Sequence, residues 1–262
     1  MSERIKSRKT GSEPIRYSTA QLFISLFSMA IFAAGATDAT SSWNYFRGNA
    51  QLTGVAEEAL AKDLALLWTF AAEDGIESSA AIGGQQVFVG SLDGHLYALD
   101  LESGALLWKY EAAGEIKSSP TVLGANVYFG DEAGTFHALD TETGARQWIF
   151  ATEGAISSSA NAVDQRLVFG SYDQNLYCLE AGSGALLWQL ATDGYIHSTP
   201  AIFARHVLVA GCDTFLRLVD IEDGTEQHQL SLGAYVGASV AIVGQRAFVG
   251  TFANEVLGID LQ

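Results

Sequence analysis

Short stretches in which apolar and polar residues alternate fill the chain from about residue 64 onwards. In the first unit these stretches lie at 76–82, 86–91, 95–100 and 105–110, and the second and third are rich in Val, Phe, Tyr and Leu. The joints between them hold Asp-Gly, Gly-Gly and Ser-Gly pairs, which are typical of tight turns. Because each joint is only a few residues long, we expect consecutive strands to pair in the antiparallel sense.

This four-strand unit returns every 40 residues, and His228 takes the fifth place in the tryptophan series. A tryptophan, a glycine and an acidic residue each recur at this interval of 40 residues. They are Trp68, Trp108, Trp148 and Trp188; Gly104, Gly144 and Gly184; and Asp100, Asp140 and Glu180. Four antiparallel strands per unit, without a helical period after residue 64, predict an all-β fold, a β-propeller with four-stranded blades.

The two ends of the repeat indicate how the propeller closes. The chain enters the repeat with a fourth-strand sequence, LALLWTF at 64–70, and leaves it with a third-strand sequence, EVLGIDLQ at 255–262. We therefore expect five blades, with the N-terminal outer strand completing the last blade and closing the ring, since closure removes both exposed sheet edges. An open arc of five blades that a second chain completes is the alternative.

The N-terminal part of the chain has a different pattern. Residues 1–19 carry five basic and two acidic residues, and an apolar run at 22–36 ends in Ala-Gly-Ala. This layout predicts a secretory signal peptide at 1–36, followed by a leading segment at 37–63 and the propeller at 64–262. We expect an exported protein, periplasmic or extracellular, or one tethered to the membrane where the signal stays uncleaved. No cysteine directly follows the apolar run, so a lipid anchor is not expected.

Charge and cysteine content narrow the classes of partner. The formal net charge is −16, and removal of residues 1–36 brings it near −19. Nucleic acids and anionic lipids select Lys and Arg, so neither is an expected partner. Cys178 and Cys212 stand at different places in the repeat, and Cys178 replaces an alanine of other copies. A small buried thiol at Cys178 is therefore favoured over a disulfide.

Side chains that vary between blades are the candidates for a binding site. One column of the innermost strands holds Glu77, Lys117, Ser157 and His197. These strands line the channel of a propeller, where a cation, an acid and an imidazole could meet a ligand; a solvated channel mouth is the alternative. The adjacent serine columns repeat in nearly every blade, whereas a nucleophile should be singular, so no catalytic residue is expected. The histidines lack metal-ligand spacing, so no metal site is expected.

The repeated phrase resembles a known family. ALDLESGALLW at 98–108, ALDTETGARQW at 138–148 and CLEAGSGALLW at 178–188 are similar to the tryptophan-docking repeat of quinoprotein dehydrogenases and their non-catalytic, BamB-like relatives. SSWNYFRGNAQLTGV at 41–55 resembles the leading segment of exported PQQ-like repeat proteins. The resemblance covers about 43–262. The count of five repeats departs from the roughly eight blades of those relatives.

The resemblance implies two functions. The BamB-like members imply an exported, non-catalytic scaffold that binds a protein or cell-envelope partner and needs no cofactor. The quinoprotein members imply instead a dehydrogenase, or a degenerate relative of one, with pyrroloquinoline quinone and calcium. The adjacent cysteines that usually lie beneath the quinone are missing from this sequence. The function as a non-catalytic scaffold is favoured, and the function as a dehydrogenase remains the alternative.

The docking motif has a structural explanation of its own. The glycine permits a positive φ in the turn between the third and fourth strands. The acid can accept backbone N–H groups around that turn. The tryptophan can cover the glycine surface of a neighbouring blade, and its indole N–H needs one acceptor. The motif is therefore expected to hold blades together, and His228 predicts a looser contact at the fifth place.

Overall fold

The computed structural model describes residues 43–56 and 62–262. The predicted signal peptide at 1–36 lies outside the described residues. Apart from a single 3-10 turn at Phe46–Gly48, every regular element in the described ranges is a β-strand. None of the helical structure found there is long and apolar enough to cross a membrane.

The strands form five consecutive antiparallel sheets, which we call blades one to five. Blade one contains β1 (Ala81–Gly83), β2 (Gln86–Gly90), β3 (His95–Asp100) and β4 (Leu106–Glu111). Blade two contains β5 (Thr121–Leu123), β6 (Asn126–Gly130), β7 (Thr135–Asp140) and β8 (Arg146–Ala151). Blade three contains β9 (Asn161–Val163), β10 (Arg166–Gly170), β11 (Asn175–Glu180) and β12 (Leu186–Ala191). Blade four contains β13 (Ala201–Phe203), β14 (His206–Ala210), β15 (Phe215–Asp220) and β16 (Glu226–Ser231), and blade five contains β17 (Ala241–Val243), β18 (Arg246–Gly250) and β19 (Val256–Asp260).

The predicted all-β architecture is confirmed. Within each blade the strands pair in chain order, and the inner strands of successive blades lie side by side. The middle strands β2, β6, β10 and β14 are almost wholly buried, because their faces are covered by the neighbouring blades. Stacked rings cross these boundaries, as between Phe136 and Phe169, whose ring centroids lie 4.1 Å apart.

The innermost strands are shorter than the alternation predicts. The first was expected at 76–82, whereas β1 covers Ala81–Gly83. The Ser79 N–H donates to Oγ of Ser119 in the next blade at 2.9 Å, and the Ser119 N–H donates to Oγ of Ser159 at 2.9 Å. Because these backbone groups bind the adjacent blade instead of their own sheet, residues 76–80 cross between blades. The serine columns serve this crossing.

The prediction of a closed ring is wrong. Residues 64–70 form no strand, and the β17–β19 sheet has no fourth strand among the described residues. Trp68 and Phe70 instead pack against the buried apolar cluster of blade one. The contacts of this segment with the blade that follows it are therefore formed, while its pairing with a third strand is not.

The leading segment runs past the inner strands of the blades and binds them by backbone hydrogen bonds. These bonds are Ile82 N–H to Trp43 O (2.9 Å), Val122 N–H to Asn44 O (2.8 Å), Ile202 N–H to Ala50 O (2.8 Å) and Ile242 N–H to Gln51 O (2.9 Å). Leu52 is buried in the apolar cluster of blades four and five. One short segment thus connects the first, second, fourth and fifth blades at their inner edges.

Blade three joins this segment through a side chain. The Ala162 N–H, which is equivalent to the four donors above, is satisfied by Oδ1 of Asn161 at 2.9 Å. The Asn161 amide then donates to Ala50 O at 2.8 Å and to Pro200 O at 2.9 Å. Sequence reasoning assigned no role to Asn161; its difference from the alanines and threonine at equivalent positions was the available signal.

The docking tryptophans lie against the turn of the following blade. Each indole N–H donates over 2.9–3.0 Å to a carbonyl oxygen of that blade, from Trp68 to Leu101, Trp108 to Thr141, Trp148 to Ala181 and Trp188 to Ile221. A methyl group added to the turn glycine would lie 2.4–2.7 Å from the indole ring at Gly104, Gly144, Gly184 and Gly224. Only a residue without a side chain allows this approach.

The acid of the motif holds the same turn. The Asp100 carboxylate accepts the Ser103 hydroxyl at 2.5 Å and the Ser103 N–H at 2.8 Å, which lowers the pKa of Asp100. Thr143 lowers the pKa of Asp140 in the same way, and Ser183 and the Gly182 N–H lower that of Glu180.

The contact at the fifth place is more open. The whole of β16, which includes His228, is exposed, whereas Trp188 in β12 is buried. A groove of about 480 Å³ lies there, and His228, Leu218 and Ile259 contribute to its lining.

A second acid anchors the hairpin between the second and third strands. The Tyr97 hydroxyl donates to Asp93 at 2.7 Å and the Tyr177 hydroxyl donates to Asp173 at 2.7 Å. In blade four Arg217 forms an ion pair with Asp213 at 2.5 Å. Blade two has Ala133 at the equivalent position, and the His137 ring instead contacts Asp131, two residues earlier, at 3.0 Å. The acid is thus present in blades one, three and four, while the chemistry of its donor changes.

Gly144→Ala is expected to destabilise the protein more than Gly124→Ala. Both glycines have a positive φ, 68° and 62°, but only Gly144 faces an indole, 2.7 Å from an added methyl group. The shared backbone strain costs about 1–2 kcal/mol, and overpacking against Trp108 adds roughly 1–3 kcal/mol at Gly144 alone. Urea denaturation measures both free energies of unfolding; equal losses would show that the indole contact contributes nothing.

Asp93 is expected to make stability depend on acid pH. Burial by itself raises its pKa, but hydrogen bonds from Tyr97 and from the N–H groups of His95 and Glu73 outweigh this and lower the pKa from 3.8 to about 2. A depressed folded-state pKa contributes stability above the unfolded-state value and loses it as pH falls through the folded-state value. The difference in unfolding free energy between wild type and Asp93→Asn should therefore shrink between about pH 4 and pH 2. Tyr97→Phe should narrow this window; a pH-independent difference would contradict the assignment.

Candidate functional site

One end of the blades forms a continuous loop face. It consists of the segments that precede the inner strands and of the hairpins between the second and third strands. A hydrogen bond of 2.9–3.0 Å joins these two loops in every blade, from the N–H of Leu92, Glu132, Tyr172, Cys212 and Phe252 to the carbonyl oxygen of Gly75, Glu115, Ala155, Tyr195 and Tyr235. The backbone of the face therefore repeats, while its side chains do not.

The structure places the predicted column on this loop face instead of on the inner strands. Lys117 lies 3.3 Å from both Glu115 and Glu132, and the Ser157 hydroxyl donates to Glu132 at 2.5 Å. Lys117 and Ser157 thus meet at one carboxylate. Desolvation of Lys117 lowers its pKa, but the two carboxylates outweigh this, so the pKa is raised and the amine stays charged.

His197 belongs to a different part of the loop face. Its Nδ1 lies 2.7 Å from the Tyr172 hydroxyl in the preceding blade. Glu77 is exposed on blade one. The four predicted residues are therefore divided between an acidic region on blades one and two and a region on blades three to five.

Aromatic side chains occupy the loop face of blades three to five. We call Tyr172, Tyr195, Tyr235 and Phe252 the aromatic patch. The rings of Tyr172 and Tyr195 stack with centroids 5.2 Å apart at 13°, and the His197 ring lies 6.0 Å from that of Tyr172. Tyr195, Tyr235 and Phe252 are 50%, 59% and 74% exposed. Rings of this size are costly to leave in water, so the patch has the character of a contact surface.

Two adjacent cavities lie within the aromatic patch. One of about 500 Å³ is lined by Tyr195, Tyr235 and Asp193 among others, and one of about 560 Å³ is lined by Tyr172, His197 and Thr251 among others. Cys212 and Phe252 line both. Burial raises the pKa of the Cys212 thiol, so it is a poor nucleophile there.

Sequence reasoning found His197 but not the patch around it. The signal was present in the columns that lead to the loop face. Positions equivalent to Tyr195 hold Gly75, Glu115, Ala155 and Tyr235, and positions equivalent to Phe252 hold Leu92, Glu132, Tyr172 and Cys212. The first column changes from small or acidic residues to tyrosine along the chain, and the second holds aromatic residues at Tyr172 and Phe252. That they lie side by side became visible only when the loops were placed.

The possible metal ligands and the two thiols can be located among the described residues. In residues 43–56 and 62–262 no group of three or more His, Cys, Asp and Glu side chains could hold a metal ion. Cys178 and Cys212 are both free, and burial raises the pKa of Cys178 to about 12. Cys178 faces Trp188 across the sheet and is packed in an apolar cluster, as a small buried thiol.

Three solved structures have a similar fold. BamB from Moraxella catarrhalis is 22% identical over 74% of this chain and 61% of its own, with a TM-score of 0.68. The computationally designed Ika8 protein is 18% identical over 69% and 57%, with a TM-score of 0.63. Quinohemoprotein alcohol dehydrogenase from Comamonas testosteroni is 13% identical over 84% and 48%, with a TM-score of 0.74. The chain thus spans about half to three fifths of the length of these proteins.

A comparison with the curated proteins gives no match. The family described as outer membrane protein assembly factor BamB matches residues 53–165 and 151–262, which together include every blade and the end of the leading segment. The chain therefore belongs to this family of PQQ-like repeat propellers.

Proposed function

We propose that this chain is an exported, non-catalytic scaffold that binds a protein partner of the cell envelope through the loop face of blades three to five. The observation that carries the proposal is the aromatic patch, which is exposed and is confined to positions where the blades differ. The proposal needs no cofactor. The name of the matched family, an assembly factor of the outer membrane, agrees with a binding function in the envelope.

The composition of the patch favours a protein partner. Tyr and Phe anchor protein interfaces because they supply large contact areas at a small entropic cost, and they cluster where water is excluded. Tyr172 stacks on Tyr195, and its hydroxyl also shares a hydrogen bond with Nδ1 of His197, so the pair is ordered before binding. Ordering in advance lowers the cost of association.

The acidic region of the loop face favours a partner that carries positive charge opposite it. Glu77, Glu115 and Glu132 lie on blades one and two, and Lys117 neutralises only part of this charge. The whole chain has a net charge of −16. A partner that covers both regions should place apolar side chains on blades three to five and basic side chains on blades one and two.

The double variant Tyr195→Ala, Tyr235→Ala should lose partner recovery. A buried aromatic anchor contributes at least about 2 kcal/mol, so affinity should fall by roughly 30-fold or more. The measurement is quantitative pull-down of envelope proteins after mild cross-linking. Leu187→Ala is the control, since Leu187 is 45% exposed on the outer strand β12, away from the loop face.

Recovery of the same protein by wild type and Leu187→Ala, with a strong loss for the double variant, would support the proposal. Equal recovery by all three proteins would place the binding surface elsewhere. Failure of wild type to enrich any protein over a range of salt concentrations would count against a scaffold function as such.

Pyrroloquinoline quinone with Ca²⁺ should leave the melting temperature unchanged. A ligand that binds only the native state at 100 times its dissociation constant stabilises it by about 2.7 kcal/mol, which a thermal scan detects readily. The scan should compare the protein alone, with Ca²⁺, and with Ca²⁺ and quinone. A rise that requires both additions would favour the dehydrogenase alternative.

A further inference from the structure

A cavity of about 510 Å³ lies between blades one and two, at the end of the blades opposite the loop face. Its lining comes from the leading segment, from the turn between the first two strands of each blade and from the turn after the third strand. It includes Asn44, Gly83, Gln86, Val122 and Glu142. None of its lining residues belongs to the aromatic patch, so what it binds is independent of the partner surface proposed above.

An apolar side chain that the next three blades contain is missing from this boundary. The residues equivalent to Gly83 are Leu123, Val163 and Phe203, and each packs against a buried apolar cluster. Gly83 contributes no side chain. A methyl group added there would lie 2.7 Å from Cγ1 of Val122, so this valine covers the glycine itself. The boundary between blades one and two is therefore filled by fewer apolar groups than the boundaries that follow.

A positive charge is missing from the same boundary. Between blades three and four, Arg166 donates to the Glu222 carboxylate at 2.5 Å. The equivalent residues between blades one and two, 80 positions earlier, are Gln86 and Glu142. Within residues 43–56 and 62–262, no Lys, Arg or His forms an ion pair with Glu142. The acid is thus present at both boundaries, whereas the guanidinium group is present at only one.

Asn44 adds an acceptor without a donor. Its backbone carbonyl binds the Val122 N–H at 2.8 Å, but its side-chain Oδ1 is buried and has no hydrogen-bond partner among the described residues. A buried acceptor in this state is unfavourable, because it has lost its bonds to water and gained none in return. No described Lys, Arg or His lines the cavity. Its chemistry therefore favours an occupant that is positively charged and carries N–H groups.

We propose that this cavity binds a small organic cation of the alkylguanidinium class, which takes the place that the Arg166 side chain takes between blades three and four. The guanidinium group donates to Glu142, as Arg166 donates to Glu222. Its planar set of N–H groups suits a carboxylate and leaves further donors for the acceptor at Asn44. The alkyl part lies against the apolar lining, which includes Leu107.

Two probes that differ only in their donors test the chemistry of the site. The full-length chain is titrated calorimetrically with n-butylguanidinium and with n-butyltrimethylammonium, which has the same charge and alkyl chain but no N–H group. Low ionic strength is used, because salt screens the attraction between exposed charges. The guanidinium compound should bind saturably at one site per chain, whereas the trimethylammonium compound should show no saturable binding.

Gln86→Arg should abolish binding of n-butylguanidinium. The new side chain has the position of Arg166 and should pair with Glu142, so that the protein fills its own cavity. Glu142→Gln should weaken binding by roughly 3-fold, the effect expected for an ion pair at an exposed carboxylate. Glu102→Gln is the matched control, because it removes the same charge at the equivalent turn position of blade one and lies outside the lining of the cavity.

Equal binding by wild type and Glu102→Gln, weaker binding by Glu142→Gln and none by Gln86→Arg support the proposal. Absence of saturable binding by wild type overturns it, and so does equal binding of the two compounds or an unchanged affinity in Gln86→Arg or Glu142→Gln. Thermal melting curves establish that each variant is folded. Glu142 is exposed, so Glu142→Gln keeps the test decisive if Gln86→Arg does not fold.

Discussion

The contact between an outer-strand tryptophan and the turn glycine of the next blade is the interaction on which the structure depends. The indole covers a surface that only glycine can present, and its N–H binds a carbonyl oxygen that the same turn exposes. A four-stranded sheet alone cannot bury both of its faces. Because each tryptophan fastens its blade to the following one, every blade gains a cover, and the middle strands become almost fully buried.

The leading segment adds a constraint that the repeat does not contain. Its carbonyl groups bind inner-strand N–H groups of four blades, and Asn161 connects the remaining one through its side chain. The Ala162 N–H binds the side-chain oxygen of Asn161 instead of a carbonyl group of the segment, and the Asn161 amide binds Ala50 O. The repeat therefore sets how neighbouring blades meet, whereas the segment ties together blades that are far apart in sequence.

Repeated and varied positions have different tasks in this molecule. The tryptophans, turn glycines and serine columns recur because each blade boundary poses the same packing problem. The loops at one end do not depend on repeated side chains in this way, because a backbone hydrogen bond holds them together in every blade. Their side chains can therefore diverge, from carboxylates near Lys117 to the rings around His197. The same surface is where the chain could acquire a partner without disturbing its core.

The sequence by itself determined the parts that local chemistry decides. Strand alternation, turn residues and the 40-residue period define the blades, and the Trp–Gly spacing identifies the contact between them. A period cannot state which of Glu77, Lys117, Ser157 and His197 come together; Lys117 and Ser157 meet at Glu132, whereas His197 contacts Tyr172. Nor could it foresee that Tyr172, Tyr195 and Phe252 share a surface, since their nearness comes from separate loops.

Only the tertiary structure decided that the ends stay apart. The match between 64–70 and β4 states what that segment can pair with, and β19 presents the matching edge. Whether the two meet depends on the angle between blades, summed over every boundary, and on the leading segment that binds the first and last inner strands. These are long-range geometric quantities, and no local pattern of residues encodes them.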